Sequence, residues 1–303
     1  MLEVLNTLLW GPGTLTLILG TGAWLTLRTG GFPQRNLGRA LTLSLGREAR
    51  RKGRGGVSPF GSLMTALAST VGTGNIVGVA AALVSGGPGA LVWMELAAFL
   101  GLAAKFAECM LAVKYRHVRR DGTRWGGPMA VMEMRLGSAG AVLGRFYALF
   151  ALLMAFTMGA LAQSGALADT FAAAFTLPRY KVGLVTAVLA LVILLGGVRR
   201  IADAATVLVP VMALLYIGGG LAVILGNLRR LPEAVTLMLR CAVAPEATLG
   251  GALGIVTRRE ALRWGVARSV FSNEAGLGSA AITAACADTD EPVKQGLISM
   301  TGV

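Results

Sequence analysis

Two polar stretches interrupt long apolar runs of this sequence: STVGTGN at residues 69–75 and FSNEAGLGS at residues 271–279. Glycine inside a helix costs about 1 kcal/mol relative to alanine, and Ser, Thr and Asn side chains compete for the backbone hydrogen bonds of a helix. Each stretch therefore predicts a break in a helix. If the apolar runs lie in lipid, the backbone groups freed at each break must be buried in protein or line a cavity.

The composition indicates that the apolar runs do lie in lipid. Hydrophobic residues make up 55% of the chain and charged residues 14%, and the mean hydropathy is +0.69. Many runs approach the twenty residues that cross a bilayer as a helix. We therefore predict an all-α polytopic membrane protein with spans near 8–28, 62–84, 89–113, 143–167, 182–197, 204–226 and 261–285, and an eighth beginning near 295. Residues 229–257 predict a short interfacial helix around Leu231–Leu239 and a Gly-rich loop, with a re-entrant element as the alternative.

The net charge of +13 is concentrated in connections between apolar runs. Arginines and lysines crowd residues 28–61, 114–142 and 198–203, which the positive-inside rule places together on the cytoplasmic side. This pattern argues against a nucleic-acid partner and predicts an external N-terminus. The arginines at 258, 259, 263 and 268 then fall on the external side, against the rule.

The position of the two breaks in the series of spans indicates a repeat. The second to sixth spans form a set of five and the seventh opens the next set, so the two broken spans run in opposite directions. Broken helices at matching places in oppositely oriented sets are typical of inverted-repeat transporters with a site at the midplane. The alternative is that the small residues only allow close helix packing, which explains the glycines better than it explains Asn75 and Asn273.

Several motifs, in the same order, resemble the alanine/glycine:cation symporter family. They are Thr65–Gly78, Gly86–Ala90, Lys105–Glu108, Ala112–Arg116, Gly126–Met129, Gln163-Ser164, Tyr216–Gly219 and Gly265–Ala280. The resemblance implies a leucine-transporter-type fold of two inverted five-helix repeats, sodium as coupling ion, alanine or glycine as substrate, and alternating access. Residues 1–60 would then hold an extra N-terminal helix and a basic cytoplasmic loop, 61–228 the first repeat, and 229–303 an external segment and the start of the second. The chain ends early in the eighth span, so we expect a C-terminally truncated family member with an incomplete second repeat.

The breaks carry the chemistry that a small zwitterion needs. Backbone N–H groups at the start of a half-helix suit the carboxylate, and freed carbonyl oxygens with a glutamine side chain suit the ammonium. The family's pocket implies the same regions. The predicted substrate residues are Gly72, Thr73, Gly74, Asn75, Gln163, Phe271, Ser272 and Asn273. Sodium prefers hard oxygen ligands, and the candidates are Ser69, Thr70, Thr73, Asn75, Ser272 and Asn273.

Charged residues inside predicted spans are functional candidates. Glu274 is a candidate gate or coupling residue, with stabilisation of the broken helix as the alternative, and Lys105 and Glu108 are spaced to pair with each other. The reading is a secondary transporter in a bacterial or archaeal cell membrane, with lipid and a small amino acid as partners and no organic cofactor. A same-fold transporter of another solute, or one driven by protons, stays open, as does the oligomeric state. An enzyme is disfavoured because the single histidine, His117, lies in a basic loop.

Overall fold

A computed structural model describes residues 10–53, 57–120, 122–243, 248–250, 254–256 and 258–303; the side chains of 12, 73, 74, 158, 159, 248–250, 254–256 and 258 lie outside this description. The chain is predominantly helical, with two small antiparallel hairpins. The helices are α1 (Pro12–Arg28), α2 (Phe32–Arg35), α3 (Leu37–Leu45), α4 (Pro59–Thr70), α5 (Thr73–Gly86), α6 (Gly89–Lys114), α7 (Pro128–Met154), α8 (Gln163–Phe175), α9 (Arg179–Leu194), α10 (Gly197–Gly226), α11 (Leu231–Val243), α12 (Arg258–Asn273), α13 (Ser279–Ala285) and α14 (Pro292–Met300). The strands are β1 (His117–Val118), β2 (Arg124–Trp125), β3 (Thr248–Gly250) and β4 (Gly254–Val256). Short 3₁₀ turns occupy Glu48–Arg50 and Leu228–Arg230, and a π-helical segment occupies Ala155–Ala162.

Membrane-crossing helices are present, as the composition predicts. In the described part of the chain, α6, α10 and the continuous helical stretch over residues 128–175 are long and apolar enough to span a bilayer. The pair α4 and α5 makes a fourth if counted as one span, and it is bent by 45°. Large apolar side chains on α9 and α10, such as Leu184 and Leu214, are exposed, as lipid-facing residues are. The all-α membrane fold is thus supported, while the inverted repeat stays a prediction.

The fourth predicted span, 143–167, lies within a longer helix. A kink at Gly137 (φ 62°, ψ −137°) separates a first helix that begins at Pro128 from a second one, which continues through the π-helical segment and α8 to Phe175. Hydropathy marks the part of a helix that is apolar enough for lipid, whereas the helix itself extends into polar sequence on either side. The predicted interfacial helix near Leu231–Leu239 corresponds to α11. The short helices α2 and α3 and both hairpins were not predicted.

Helix α6 is the centre of the packing. It contacts α1, α2, α5, α11, α12, α13 and α14. Small residues make these contacts close: a Cβ added at Gly265 of α12 would lie 2.4 Å from the carbonyl oxygen of Ala90 on α6. Cys109 and Ala112 of α6 are fully buried in separate clusters that both include residues of α13. Both halves of the second broken helix therefore lie against one continuous helix.

The predicted cytoplasmic segments meet at one end of the molecule. Lys52 pairs with Asp203 at 2.5 Å, which joins the first and third basic segments. The N–H of Asp288 donates to the carbonyl of Val57 at 2.7 Å, and the Asp288 carboxylate pairs with Arg124 in the second basic segment. Lys52, Val57, Arg124, Asp203 and Asp288 thus gather at the end that the positive-inside rule assigns to the cytoplasm.

Candidate functional site at the meeting of two broken helices

Both predicted breaks exist, and they touch. Helix α4 ends at Thr70 and α5 begins at Thr73, with Gly72 extended at φ −156° and ψ −149°. Helix α12 ends at Asn273, and α13 does not begin until Ser279. The Ser272 hydroxyl donates a hydrogen bond to the Asn75 side-chain oxygen. One residue from each sequence motif therefore joins the two breaks.

The two broken helices run in opposite directions. One turn beyond Asn75, Gly78 lies against Arg268, which is one turn before Ser272. At the end predicted to be cytoplasmic, the carbonyl of Val57, two residues before α4, accepts from the N–H of Asp288, three residues after α13 ends. The antiparallel direction agrees with the count of spans in the sequence.

Gln163 reaches the first break from a third helix. It follows the π-helical segment Ala155–Ala162 and begins α8. A Cβ added at Gly72 would lie 3.0 Å from its side-chain oxygen and 3.3 Å from its nitrogen. Glycine at position 72 therefore leaves the room that the amide group occupies. A π-helical turn is a frequent feature of functional sites because it re-aims the side chains that follow it.

The second break releases the carbonyl groups of Phe271 and Ser272 from the helical ladder. In a continuous helix these carbonyls would accept from the N–H groups of Ala275 and Gly276. Instead, the Ala275 N–H donates to the Asn273 side-chain oxygen at 2.9 Å, and the Gly276 N–H faces the Glu108 carboxylate. No donor among the described residues bonds the carbonyl of Phe271 or Ser272, so both oxygens are available to another donor or to a cation.

The predicted sodium ligands on α4 do not all face the same way. Ser69 is exposed and Thr70 is buried, because consecutive helical residues point about 100° apart. Both hydroxyls donate to the carbonyl of Ala66 in their own helix, Ser69 at 2.8 Å and Thr70 at 3.3 Å. Thr73 and Gly74 belong to the first turn of α5, but their side-chain positions lie outside the described part of the chain.

Asn273 and Glu274 support the second break from within. The Asn273 side chain accepts from Ala275 and donates to Ser269 at 3.3 Å. Glu274 is buried with a φ of 53°, a left-handed conformation that non-glycine residues rarely adopt. Its carboxylate accepts from the Ser279 hydroxyl at the start of α13. Both side chains therefore have partners in the same broken helix.

Three further side chains bind the second break from neighbouring helices. Lys105 and Glu108 do so from α6, and the Tyr147 hydroxyl of α7 donates to the Leu277 carbonyl at 3.0 Å. The sequence predicted that Lys105 and Glu108 would pair with each other, but each reaches across to α12 or to the segment that follows it. Their charge inside a span was the available signal. Nothing in the sequence distinguished Tyr147.

Phe271 lines an arginine-containing cleft beside this contact. The cleft has a volume of about 170 Å³ and is lined by Trp10, Arg263, Trp264, Ala267, Arg268 and Phe271. The Arg268 guanidinium lies 5.6 Å from the Trp264 ring centre and 5.5 Å from that of Phe271. Aromatic faces at such distances stabilise a cation. Two arginines that contradict the positive-inside rule thus line a cleft next to Ser272.

A second polar cluster lies at the C-terminal end of α13. Arg116 donates to the carbonyl of Ala285 at 3.2 Å and to that of Ala287 at 2.6 Å, and it pairs with Asp290 at 3.1 Å. Burial lowers the pKa of Arg116 from its usual value, and the nearby Arg124 adds to this shift. The guanidinium stays charged, because an arginine titrates far above neutral pH. It therefore supplies donors to the carbonyl groups left open where α13 ends.

Two broken, antiparallel helices that meet inside a helical membrane protein define the class of secondary-transporter folds. The sequence model of the Sodium:alanine symporter family matches residues 1–303. The chain belongs to this family, whose members are integral membrane transporters and not enzymes.

Curated relatives agree with this assignment. An uncharacterized transporter from Haemophilus influenzae is 47% identical over 303 residues, which is all of this chain and 65% of the relative. The sodium/alanine symporter AgcS from Methanococcus maripaludis is 43% identical over all of this chain and 66% of its own length. A protein from Bacillus subtilis named probable sodium/glutamine symporter GlnT is 39% identical over 99% of this chain and 61% of its own length. The chain spans about two thirds of the length of the curated relatives it matches.

Proposed function

We propose that this protein carries a small neutral amino acid, alanine or glycine, across the cell membrane together with sodium by alternating access. The contact between Asn75 and Ser272 is the observation that carries the proposal, because it joins the two breaks into one polar site. Gln163 adds a third helix at Gly72. The relative named sodium/alanine symporter supports the same assignment.

The polar groups of the site match the two charges of the substrate. The substrate carboxylate would bind at the N-terminal turn of α5, where N–H groups point along the positive end of a helix with 14 residues. Gly72 and Gly74 let the ligand approach the backbone there. The substrate ammonium would bind the carbonyl oxygens of Phe271 and Ser272, and the Gln163 side chain would bind beside them.

The sodium ligands follow from the same geometry. Thr70, Asn75 and Ser272 offer neutral oxygens near the two breaks, of the hard type that sodium prefers, and Ser69 and Thr73 remain predicted ligands on the same stretch. Asn273 we assign to supporting the break, because both ends of its amide and its backbone carbonyl have partners in the protein. This assignment leaves the carbonyls before it as the ligands from the second break.

The repeat organisation supports alternating access. We propose that residues 61–228 form one five-helix repeat, that 229–303 hold the external segment and the start of an inverted second repeat, and that residues 1–60 precede both. The broken helices are equivalent positions of the two repeats. Rocking one set against the other around a site between them would open it to each side of the membrane in turn.

Another solute or proton coupling is the second candidate. The relative named for glutamine shows that the family includes a protein assigned a larger substrate. A Cβ added at Gly165, two residues after Gln163, would meet nothing within 4 Å. Glu274 is a buried carboxyl next to the site, which keeps a proton-coupled mechanism open.

Uptake of labelled alanine into vesicles tests the proposal. We expect uptake to depend on an inward sodium gradient and to be inhibited by glycine more strongly than by glutamine. Asn75→Ala should abolish most of it. Asn227→Ala is the matched control, because Asn227 is exposed at the end of α10 and its side-chain amide bonds the Val223 carbonyl of that helix. Uptake that ignores sodium, or an Asn75→Ala variant that resembles the control, would overturn the mechanism.

A further inference from the structure

Helix α6 presents two opposite charges to the second break from a single turn. Lys105 is 1% exposed, and its ammonium donates to the carbonyl of Asn273 at 2.8 Å. Glu108, three residues later, accepts from the N–H of Gly278 at 3.0 Å, and the N–H of Gly276 faces the same carboxylate. The break thus receives a donor where α12 ends and an acceptor just before α13 begins.

The sign of each charge matches the backbone groups it meets. The last carbonyls of a helix carry partial negative charge and lack partners in the helix, so a buried ammonium stabilises them. Unpaired N–H groups carry partial positive charge, so a carboxylate stabilises the two that follow the break. Hydrogen bonds that involve a charged group are roughly twice as strong as neutral ones. Exchanging the two charges would set like against like at both places.

Burial makes these contacts necessary to the fold of the break. A buried charge without partners is strongly unfavourable, and Lys105 is among the largest fully buried side chains of the described residues. Freed backbone groups in a membrane protein are equally unfavourable without partners. The Lys105 ammonium and the Asn273 carbonyl therefore satisfy each other, as do one Glu108 oxygen and the Gly278 N–H.

We infer that Lys105 and Glu108 are positioning residues of the transport site: they hold the second break unwound and thereby present the Phe271 and Ser272 carbonyls to the ligand. The inference rests on the proposed function, because a transport site is needed for these residues to position it. Their effect on the conformation of the break can be measured without transport. Lys105 and Glu108 would thus help to determine the shape of the pocket although they lie outside it. The opposing explanation is that they serve only each other, as an intrahelical pair spaced i, i+3.

A charge exchange separates the two explanations. The double variant Lys105→Glu with Glu108→Lys keeps an ion pair on α6 and the net charge, but reverses both contacts with the break. We expect the amides of residues 274–278 to exchange hydrogen for deuterium roughly ten- to a hundredfold faster than in the unaltered protein. Wild-type exchange rates in the double variant would overturn the inference.

Conservative single variants keep the test decisive if the double variant fails to fold. Glu108→Met removes the acceptor and should raise the exchange rate at Gly276 and Gly278 as much as the double variant does. Glu108→Gln retains a neutral acceptor and should raise it by a smaller factor. The matched control is Glu95→Met, which removes an exposed carboxylate from the same helix and should leave the 274–278 amides unchanged. Unaltered exchange at Gly276 and Gly278 in both Glu108 variants would also overturn the inference.

Sodium-dependent binding of labelled alanine tests whether Lys105 affects the binding of the substrate. Lys105→Met should weaken it at least about tenfold, and Lys105→Arg, which keeps the charge, should recover part of the loss. If the unaltered protein binds no alanine, the proposed function fails, while the exchange pattern still decides whether Lys105 and Glu108 hold the break. Equal alanine affinity in Lys105→Met and wild-type protein would refute the positioning role.

Discussion

Gly265→Ala tests the close packing that holds the second broken helix against α6. The added methyl carbon would lie 2.4 Å from the Ala90 carbonyl oxygen and 2.7 Å from the Cβ of Trp93. Both neighbours belong to the rigid part of α6, so no flexible side chain can move aside and the helices must separate. Inserting a methyl group into a packed core typically costs about 1–3 kcal/mol.

The net effect is smaller because alanine is the better helix former. Replacing glycine in a helix interior gains about 1 kcal/mol, so we expect Gly265→Ala to lower the free energy of unfolding by about 0–2 kcal/mol. Gly183→Ala in α9 measures the gain in helix propensity alone, because a Cβ there would meet nothing within 4 Å. It should leave stability unchanged or raise it slightly.

Thermal unfolding of both variants in detergent, followed by the loss of the monodisperse size-exclusion peak, measures the difference. A change of 1 kcal/mol corresponds to a few degrees in Tm for a protein of this size. We expect Gly265→Ala to melt several degrees below Gly183→Ala. If Gly265→Ala melts at or above the temperature of the control, the close contact between α6 and α12 is not as tight as described.

Two further predictions concern the site and the cytoplasmic end. Ser272→Ala removes the hydroxyl that joins the breaks and should raise the alanine concentration for half-maximal uptake by roughly five- to tenfold, while Ser138→Ala at an exposed position should not; equal values for both would count against the joined site. The hydrogen bond from Lys294 holds the pKa of the exposed Glu48 carboxylate below its usual 4.5, so this pair stabilises the fold above pH 4.5 and loses that effect as the pH falls through the lowered pKa. Lys294→Met should therefore melt below wild type near neutral pH and match it in acid, and a pH-independent difference would contradict this.

The sequence alone was sufficient for features that are local along the chain. Hydropathy located the spans of α6 and α10 and the broken pair of α4 and α5, and clustered glycine and polar residues located both breaks at the residues where the structure has them. The count of spans gave the antiparallel direction, which the contacts of Ser272 with Asn75 and of Arg268 with Gly78 support. These predictions succeed because each depends on residues within one helix or on the order of helices.

Features that depend on distant partners were not accessible in the same way. The spacing of Lys105 and Glu108 suggested a pair on one helix, since a sequence shows neighbours along the helix and not the carbonyls of another helix 168 residues away. Tyr147 was missed for the same reason. Phe271 was predicted as a substrate residue, and the sequence did not show that its ring would also lie in a cleft beside Arg268.

The attachments of the second break also define how it can move. Lys105 and Glu108 tie it at two points to one turn of α6, whereas Tyr147 ties it at a single point to α7. Two attachments to one rigid helix fix both the position and the tilt of the segment between them, so it would travel with α6 as one body. A sliding movement between α6 and α7 would then stretch the Tyr147–Leu277 hydrogen bond and leave the other two intact. That bond is therefore the first of the three to break when the two helices move apart.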